Sequence, residues 1–162
     1  MKYFILLTST SILLSSCYTY KIFPEEYKNV TYSGARQVAY ILNPELRKEY
    51  KILQSSKIFE LTYDSSDKSA IKIKLLPIKK GSACGQPLTA SLLTLGQVPI
   101  YLPDTYEYTF DELKETETIG HRFEMRIATR IWFWDMFLLK KNFEQKAGQV
   151  LSVKYYSQSI GG

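Results

Sequence analysis

The stretch ETETIGHRFEMRIATRIWFWDMFLL, residues 115–139, decides the fold. Mostly apolar side chains recur there at every second position, and charged side chains occupy positions between them. The first set is Ile119, His121, Phe123, Met125, Ile127, Ile131 and Phe133, and the second is Arg122, Glu124, Arg126 and Arg130. A two-residue period sustained over this length predicts a long β-strand with one buried face and one solvated face.

A helix is the alternative for the same stretch. Three arginines recur at the four-residue spacing of one helix face, namely Arg122, Arg126 and Arg130. Thr118, Gly120 and the β-branched content favour the strand, because such residues fit a pleated surface better than a helix. The pattern leaves both structures open for residues 117–134.

Two tryptophans follow at positions of the charged parity. Either the strand ends near Ile131, or two indoles stand on its exposed face. Aromatic side chains beside arginines are typical of protein interfaces, and exposed tryptophan also suits a membrane interface. The candidate interaction surface therefore consists of Arg122, Arg126, Arg130, Trp132 and Trp134. In the alternative interpretation, residues 132–139 belong to the core and the arginines only solvate the outer face.

Shorter patterns predict the neighbouring elements before residue 80. NPELRKEYKIL, residues 43–53, predicts a helix that is capped by Asn43, with Pro44 in the first turn. IFELTYDSSDKSAIKIKLLPI, residues 58–78, predicts a hairpin that turns at residues 64–67. Lys72 and Lys74 alternate there with apolar residues, which indicates a solvated sheet face.

The later segments are predicted in the same way. Residues 87–95 have a helical leucine stripe, whereas Pro99 and Pro103 frame a connector before the strand TYEYTF, residues 105–110. Residues 136–147 fit a helix that Gly148 ends, and residues 149–156 fit a closing strand. The elements alternate irregularly with hairpin-type neighbours. This order predicts a single α+β domain with a mainly antiparallel sheet and two or three short helices, with an all-β sandwich as the alternative.

The chain begins with the leader MKYFILLTSTSILLSSC, residues 1–17. Lys2 precedes an uncharged run from Tyr3 to Leu14, which as a helix would span roughly 18 Å and is too short to cross the ~30 Å core of a bilayer. A positive start, a brief apolar segment and then small residues are the pattern of a secretory signal.

The end of the leader resembles the lipobox of bacterial lipoproteins. It consists of Leu14, Ser15, Ser16 and Cys17. The resemblance implies that the Cys17 thiol receives a diacylglyceryl group, that the signal is cut before it, and that the new amine is acylated, for example with palmitate. An ordinary signal peptide with an incidental cysteine is the alternative. The segment Leu93-Thr94-Leu95-Gly96 before Pro99 also resembles a stretch of small envelope lipoproteins of unknown role.

The resemblance implies an organisation and a location. Residues 1–16 would be the lipoprotein signal peptide, residues 17–34 the acylated N-terminus and a tether, and residues 35–162 a globular domain facing the periplasm. Tyr18 stands where an aspartate would retain such a protein at the inner membrane. We therefore expect an outer-membrane location, with the outer leaflet of the inner membrane as the alternative.

Composition limits the chemistry. The net charge of +5 falls to +4 without the leader, and no polybasic block is present, so nucleic acid is not an expected partner. With Cys17 acylated, Cys84 is the one thiol left beside the single His121, too few ligands for a usual zinc site. No metal or other cofactor is expected.

The sequence favours a non-catalytic binding or assembly protein of the envelope, attached to the membrane by acyl chains, with an envelope protein as partner. A small membrane-tethered periplasmic hydrolase is one alternative. It would use a Cys84–His121 pair or the acidic residues Asp111, Glu112, Glu115 and Glu117. We expect this acidic run to be a solvated loop or strand edge. A protein that binds lipid through its aromatic cluster is another alternative.

Overall fold

Seven strands and two helices are present in the residues that the structure, a computed structural model, describes: 18–22, 36–65, 70–81, 97–114, 117–132 and 143–161. The strands are β1 Tyr18–Ile22, β2 Gln37–Ile41, β3 Phe59–Thr62, β4 Ile71–Leu75, β5 Lys79–Lys80, β6 Ile100–Leu113 and β7 Thr118–Ile131. The helices are α1 Arg47–Ser56 and α2 Phe143–Gly161.

The strands form one mixed sheet in the order β1-β7-β6-β4-β2-β3, and β5 pairs with β6. β2 is parallel to β3 and to β4, whereas the other pairings are antiparallel. Buried residues of both helices join those of the sheet in one core. The α+β architecture is confirmed at this level, and the all-β sandwich is wrong, because the layer opposite the sheet in the described part of the chain is helical.

The β6–β7 hairpin carries the core. The two strands pair without interruption from Ile100↔Ile131 to Leu113↔Thr118. Their inward residues are buried: Tyr106, Tyr108, Phe110, Phe123, Met125 and Ile127. Each such side chain contributes about 1.5–3 kcal/mol through burial. The strand prediction is thus confirmed for residues 118–131, and the helix alternative is wrong there.

The hairpin predicted for residues 58–78 is wrong. β2 lies between β3 and β4 and runs parallel to both, so β3 and β4 share one direction and do not pair with each other. Parallel neighbours need a crossover connection, and α1 supplies it between β2 and β3. The alternation within β4 is confirmed, since Ile73 and Leu75 are buried while Lys72 and Lys74 are exposed.

Asn43 does not cap a helix. α1 begins at Arg47, its N-cap is Leu46, and no side chain caps it. The amide of Asn43 instead pairs with the backbone of Leu75: Nδ2 donates to the Leu75 carbonyl at 2.9 Å, and the Leu75 N–H donates to Oδ1 at 2.8 Å. The side chain thereby prolongs the parallel pairing of β2 and β4, which offers two hydrogen bonds where a cap offers one.

Pro103 lies inside β6, not in a connector before it. It is in register with Ala128 of β7. On the other side of β6, the pairing with β5 starts only at Tyr106, among the residues that the structure describes. Proline is tolerated where one side of a strand has no partner that needs its N–H, so β6 begins at Ile100, five residues before the predicted start at Thr105.

The closing strand predicted over residues 149–156 is helical, and Gly148 ends no helix. Both lie within α2, whose buried residues Phe143, Ala147, Val150 and Leu151 follow a helical period. Gly148 sits where α2 approaches α1. A Cβ atom there would lie 2.7 Å from the backbone carbon and from Cβ of Ser55. The glycine allows the two helices to pack closely.

Some sequence predictions fall outside the described residues. They include Cys17 and the lipobox, the helix over 87–95, Cys84, and the start of the helix over 136–147. The tether predicted over 17–34 is wrong for residues 18–22, because these form β1, whose Ile22 is fully buried. No helix in the described ranges is long and apolar enough to cross a membrane.

Replacing Gly148 with alanine tests the close approach of the helices. In an open helix this change stabilises by roughly 1 kcal/mol, because alanine is the better helix former. Here we expect a loss of about 1–3 kcal/mol from overpacking against Ser55. Urea unfolding measures the difference, and Gly120→Ala is the control, since a Cβ at Gly120 meets only Asp111 Oδ1 at 3.4 Å. A Gly148→Ala protein as stable as the unaltered chain would contradict the packing.

Candidate interaction surface

The outer face of the sheet is the face opposite the helices. Alternation along β7 turns Arg122, Glu124 and Arg126 toward this face, and all three are exposed. In β6 the residues on the same face are Thr105, Glu107 and Thr109, which are half-buried. The placement follows from the two-residue period that the sequence shows, so the predicted solvation of the arginine positions is confirmed for Arg122 and Arg126.

Glu107 is the centre of the charge pattern on this face. It accepts a hydrogen bond from the Arg122 guanidinium, and the Lys79 ammonium lies 3.8 Å from its Oε1. Beside it, Arg126 Nε lies 3.6 Å from Glu124 Oε1. The arginine side chains are 73% and 74% exposed, and such exposed pairs contribute little to stability. These side chains could therefore form ion pairs with a partner instead, at little cost to the stability of the fold.

An open groove of about 420 Å³ lies along this part of the sheet. Its lining carries both signs of charge and consists of Lys79, Lys80, Gly81, Thr105, Glu107, Arg122 and Glu124. Apolar ligands gain little from such a lining. A polar protein segment that offers its own charged side chains fits it better, because alternating charges favour one register of docking.

The remaining members of the predicted surface lie toward the Ile100–Ile131 end of the hairpin. The Arg130 guanidinium lies 5.2 Å from the centre of the Trp132 ring. Trp132 is half-buried, and its indole N–H donates to the Gln97 carbonyl at 3.1 Å. The structure thus brings Arg130 and Trp132 together but apart from the Glu107 centre. Trp134 lies outside the described residues.

On the inner face, Asp104 is a buried carboxylate that sequence reasoning missed. The Lys80 ammonium lies 3.0 Å from its Oδ2, and the hydroxyls of Tyr106 and Thr129 donate to the same oxygen at 3.3 Å each. Three polar contacts offset the cost of burying this charge. The signal in the sequence was its parity, since Asp104 shares the inward positions of Tyr106 and Tyr108.

A second buried carboxylate, Glu112, lies farther along β6. Its Oε1 is 3.2 Å from His121 Nε2 and accepts a hydrogen bond of 3.4 Å from the Tyr155 hydroxyl. The distance to His121 is that of an ion pair, but the geometry is not that of a hydrogen bond, and Nε2 is buried without a hydrogen-bond partner. His121 faces inward as predicted and stacks on Phe110, with 4.9 Å between the ring centres.

The acidic run does not come together in one site. Asp111 and Glu112 are consecutive in β6, so their side chains point to opposite faces of the sheet. Because Glu112 is buried, the expectation of a solvated run is wrong at that position. Glu117 is exposed in the β6–β7 connection, whereas Glu115 and Cys84 lie outside the described residues. Within the described ranges, no three His, Cys, Asp or Glu side chains could hold a metal ion together.

Four tyrosines on the core side have raised pKa values. Burial, and then the charge of Glu112, raise the pKa of Tyr155 to about 12. Burial, and then the hydrogen bond with Tyr63, raise the pKa of Tyr50 to about 12. Burial raises the pKa of Tyr106 and of Tyr108 still further, with Asp104 and Glu49 as the respective nearby charges. All four phenols are neutral at physiological pH.

Comparisons with known proteins identify no family for this chain. No protein-family model matches the chain, and no curated protein does. A solved structure that matches is the crystal structure of rare lipoprotein B from Shewanella oneidensis, with 16% identity and a TM-score of 0.38, over 78% of this chain and 98% of that one. At this TM-score the likeness carries no argument about the fold or function of this chain.

The raised tyrosine pKa values predict loss of stability in alkali. A folded-state pKa above the unfolded value of 10.0 means that the folded protein holds the proton more tightly. The contribution of these phenols to the free energy of unfolding is therefore fully present below pH 10. It falls as the pH rises from 10 toward 12. Urea midpoints measured across this range should fall steadily, and Tyr155→Phe should make the fall shallower. A midpoint that stays constant up to pH 12 would contradict the burial of these phenols.

Proposed function

We propose that this chain is a bacterial envelope lipoprotein, attached through acyl chains on Cys17, whose domain binds another envelope component without catalysing a reaction. The observation that carries the proposal is the position of the lipobox relative to the fold. Leu14, Ser15, Ser16 and Cys17 end where β1 begins, at Tyr18. The proposed cleavage before Cys17 would therefore remove the leader and leave the whole sheet in the mature protein.

The chemistry of the segment supports acylation at this residue. Cys17 is the one strong nucleophile near the end of the apolar run, and Ser15 and Ser16 are small enough to admit a peptidase at the bond before it. Two or three acyl chains on one residue make membrane attachment stable, whereas a single chain holds a protein only reversibly. The location we propose is the outer membrane, facing the periplasm, because Tyr18 is not the aspartate that retains lipoproteins at the inner membrane.

The outer face of the sheet supports the binding role. Arg122 and Arg126 are exposed beside a groove whose lining includes Glu107, Glu124 and Lys79. Arginine is enriched in interfaces, and complementary charges give specificity and fast association. We propose that an envelope protein docks on this face, with carboxylates that replace Glu107 and Glu124 as partners of the two arginines.

The acyl anchor is tested by metabolic labelling with an alkyne analogue of palmitate. Cys17→Ser should abolish the label and leave the precursor unprocessed, because the thiol that receives the diacylglyceryl group is gone. Cys84→Ser is the matched control and should be labelled like the unaltered protein. Fractionation of the envelope then shows which membrane holds the labelled protein. If Cys17→Ser still takes up label, the proposal is wrong.

The binding face is tested by removing two positive charges from it. Arg122→Gln with Arg126→Gln should abolish crosslinks between the outer face and its partner in intact cells, formed from a photo-crosslinking residue introduced at Thr109. The free energy of unfolding of this double variant, measured in urea, should change by no more than about 0.5 kcal/mol, since both side chains are exposed.

The matched control is Arg47→Gln with Lys51→Gln, which removes the same charge from exposed positions of α1. It should leave the crosslinks in place. Equal crosslinking in both double variants would contradict a binding role for the outer face.

A further inference from the structure

We propose that one end of the sheet lies directly against the bilayer surface and binds its anionic headgroups. This anchor end comprises the start of β1, the end of β7 and the start of β6, together with Lys21, Val98, Tyr101, Arg130 and Trp132. The proposal rests on the proposed acylation of Cys17 and adds to it an orientation of the domain and a lipid-binding surface.

The register of the sheet places the anchor. Tyr18 of β1 pairs with Ile131 of β7, which pairs on its other side with Ile100 of β6. Cys17 precedes Tyr18 directly, and consecutive Cα atoms are about 3.8 Å apart. Acyl chains on Cys17 would therefore enter the bilayer beside these three strand ends. Because β1 is already paired at its first residue, no spacer lets the domain turn away from the membrane.

Two cations lie next to this entry point. Arg130 is in register with Thr19 of β1, and Lys21 is in register with Ala128. The Lys21 ammonium lies 4.7 Å from the centre of the Tyr101 ring, as Arg130 lies over Trp132. Near a membrane, each lysine or arginine attracts anionic lipids. These two cations therefore complement the charge of phosphatidylglycerol headgroups.

The rings and an apolar side chain fit the same surface. Tyrosine and tryptophan are enriched at membrane interfaces, because an apolar ring with a polar edge suits the headgroup region. Tyr101 and Trp132 are both half-buried in the protein and stand at the anchor end. Val98, just before β6, is 53% exposed and adds apolar surface there. Interfacial aromatics, cations and the covalent anchor thus coincide.

The opposite end of the hairpin lies far from the bilayer in this orientation. From Ile131 to Thr118 the strand runs for 13 steps, roughly 43 Å at 3.3 Å per residue. Glu117, in the β6–β7 connection, is exposed at that distant end. The two ends therefore give a matched pair of positions, one at the membrane and one well outside it.

The experiment uses the mature acylated protein with Cys84→Ser, reconstituted into vesicles of phosphatidylethanolamine and phosphatidylglycerol. Val98→Cys or Glu117→Cys carries a fluorophore, and a lipid with a nitroxide on its headgroup is the quencher. We expect strong quenching at residue 98 and none at residue 117. Equal quenching at both positions, or none at residue 98, would overturn the orientation.

The cations are tested in the same vesicles. Lys21→Gln with Arg130→Gln should lower the quenching at residue 98, and the effect should vanish in vesicles of phosphatidylcholine alone. Lys72→Gln with Lys74→Gln is the control, since it removes the same charge from exposed positions of β4 and should change nothing. Unchanged quenching in the first pair would overturn the headgroup contact.

Intact-mass measurement of each preparation separates this inference from the proposed function. A bare Cys17 thiol overturns both, since no anchor then holds the domain. Acylated protein without quenching at residue 98 overturns the membrane-facing end alone, and leaves that end for a protein partner.

Discussion

The pairing of β6 with β7 is the interaction on which the rest of the structure depends. Every residue of β6 from Ile100 to Leu113 is matched to one of β7, and the inward positions of both strands supply the centre of the core. A slip by one residue would turn Arg122 and Glu124 toward the helices, so the apolar alternation holds the register. Four other elements attach directly to this hairpin: β1 to β7, β4 and β5 to β6, and α2 across its inner face.

Several buried polar groups on the inner face are paired around this hairpin, whereas His121 Nε2 has no hydrogen-bond partner among the described residues. Asp104 is satisfied by Lys80 and two hydroxyls, and the Tyr108 hydroxyl donates to the Glu49 carbonyl at 2.9 Å. The Glu49 carboxylate accepts the Ile78 N–H, also at 2.9 Å. The Tyr108 hydrogen bond ties α1 to the sheet, and the Glu49 carboxylate ties α1 to the segment between β4 and β5. Such pairing matters because an unpaired polar group in the core costs more than its hydrogen bond contributes. The inner face thus specifies where α1 lies, while the outer face carries charges that the fold itself hardly needs.

The N-terminal strand β1 connects the folded domain to the proposed membrane anchor. β1 is an edge strand that begins one residue after Cys17, and its Ile22 is fully buried. An acyl anchor on that cysteine would be joined directly to the sheet, without a flexible linker between them. The strand ends beside it would then face lipid, and the groove around Glu107 would stand farther out, where another envelope component could reach it. One hairpin would in this way serve both a membrane contact and a protein contact, at different heights.

The sequence by itself determined the features that consecutive residues encode. The two-residue period predicted β7 and its faces, the strand alternation over residues 105–110 of β6, and the exposed lysines of β4. Within the candidate surface, it predicted the exposed positions of Arg122 and Arg126, but not their ion pairs with Glu124 and Glu107. The resemblance of residues 14–17 to a lipobox likewise rests on a local pattern, and the acylation that it implies stays a prediction.

Only the tertiary structure decided which elements meet. β3 and β4 looked like a hairpin because they are neighbours in the chain, yet β2 lies between them. Asn43 looked like a cap because a helix follows, yet its amide completes a sheet pairing with Leu75. Gly148 looked like a helix end, yet it is the point where α2 meets Ser55 of α1. In each case the deciding contact joins groups that are far apart in the chain, and local periodicity contains no information about such contacts.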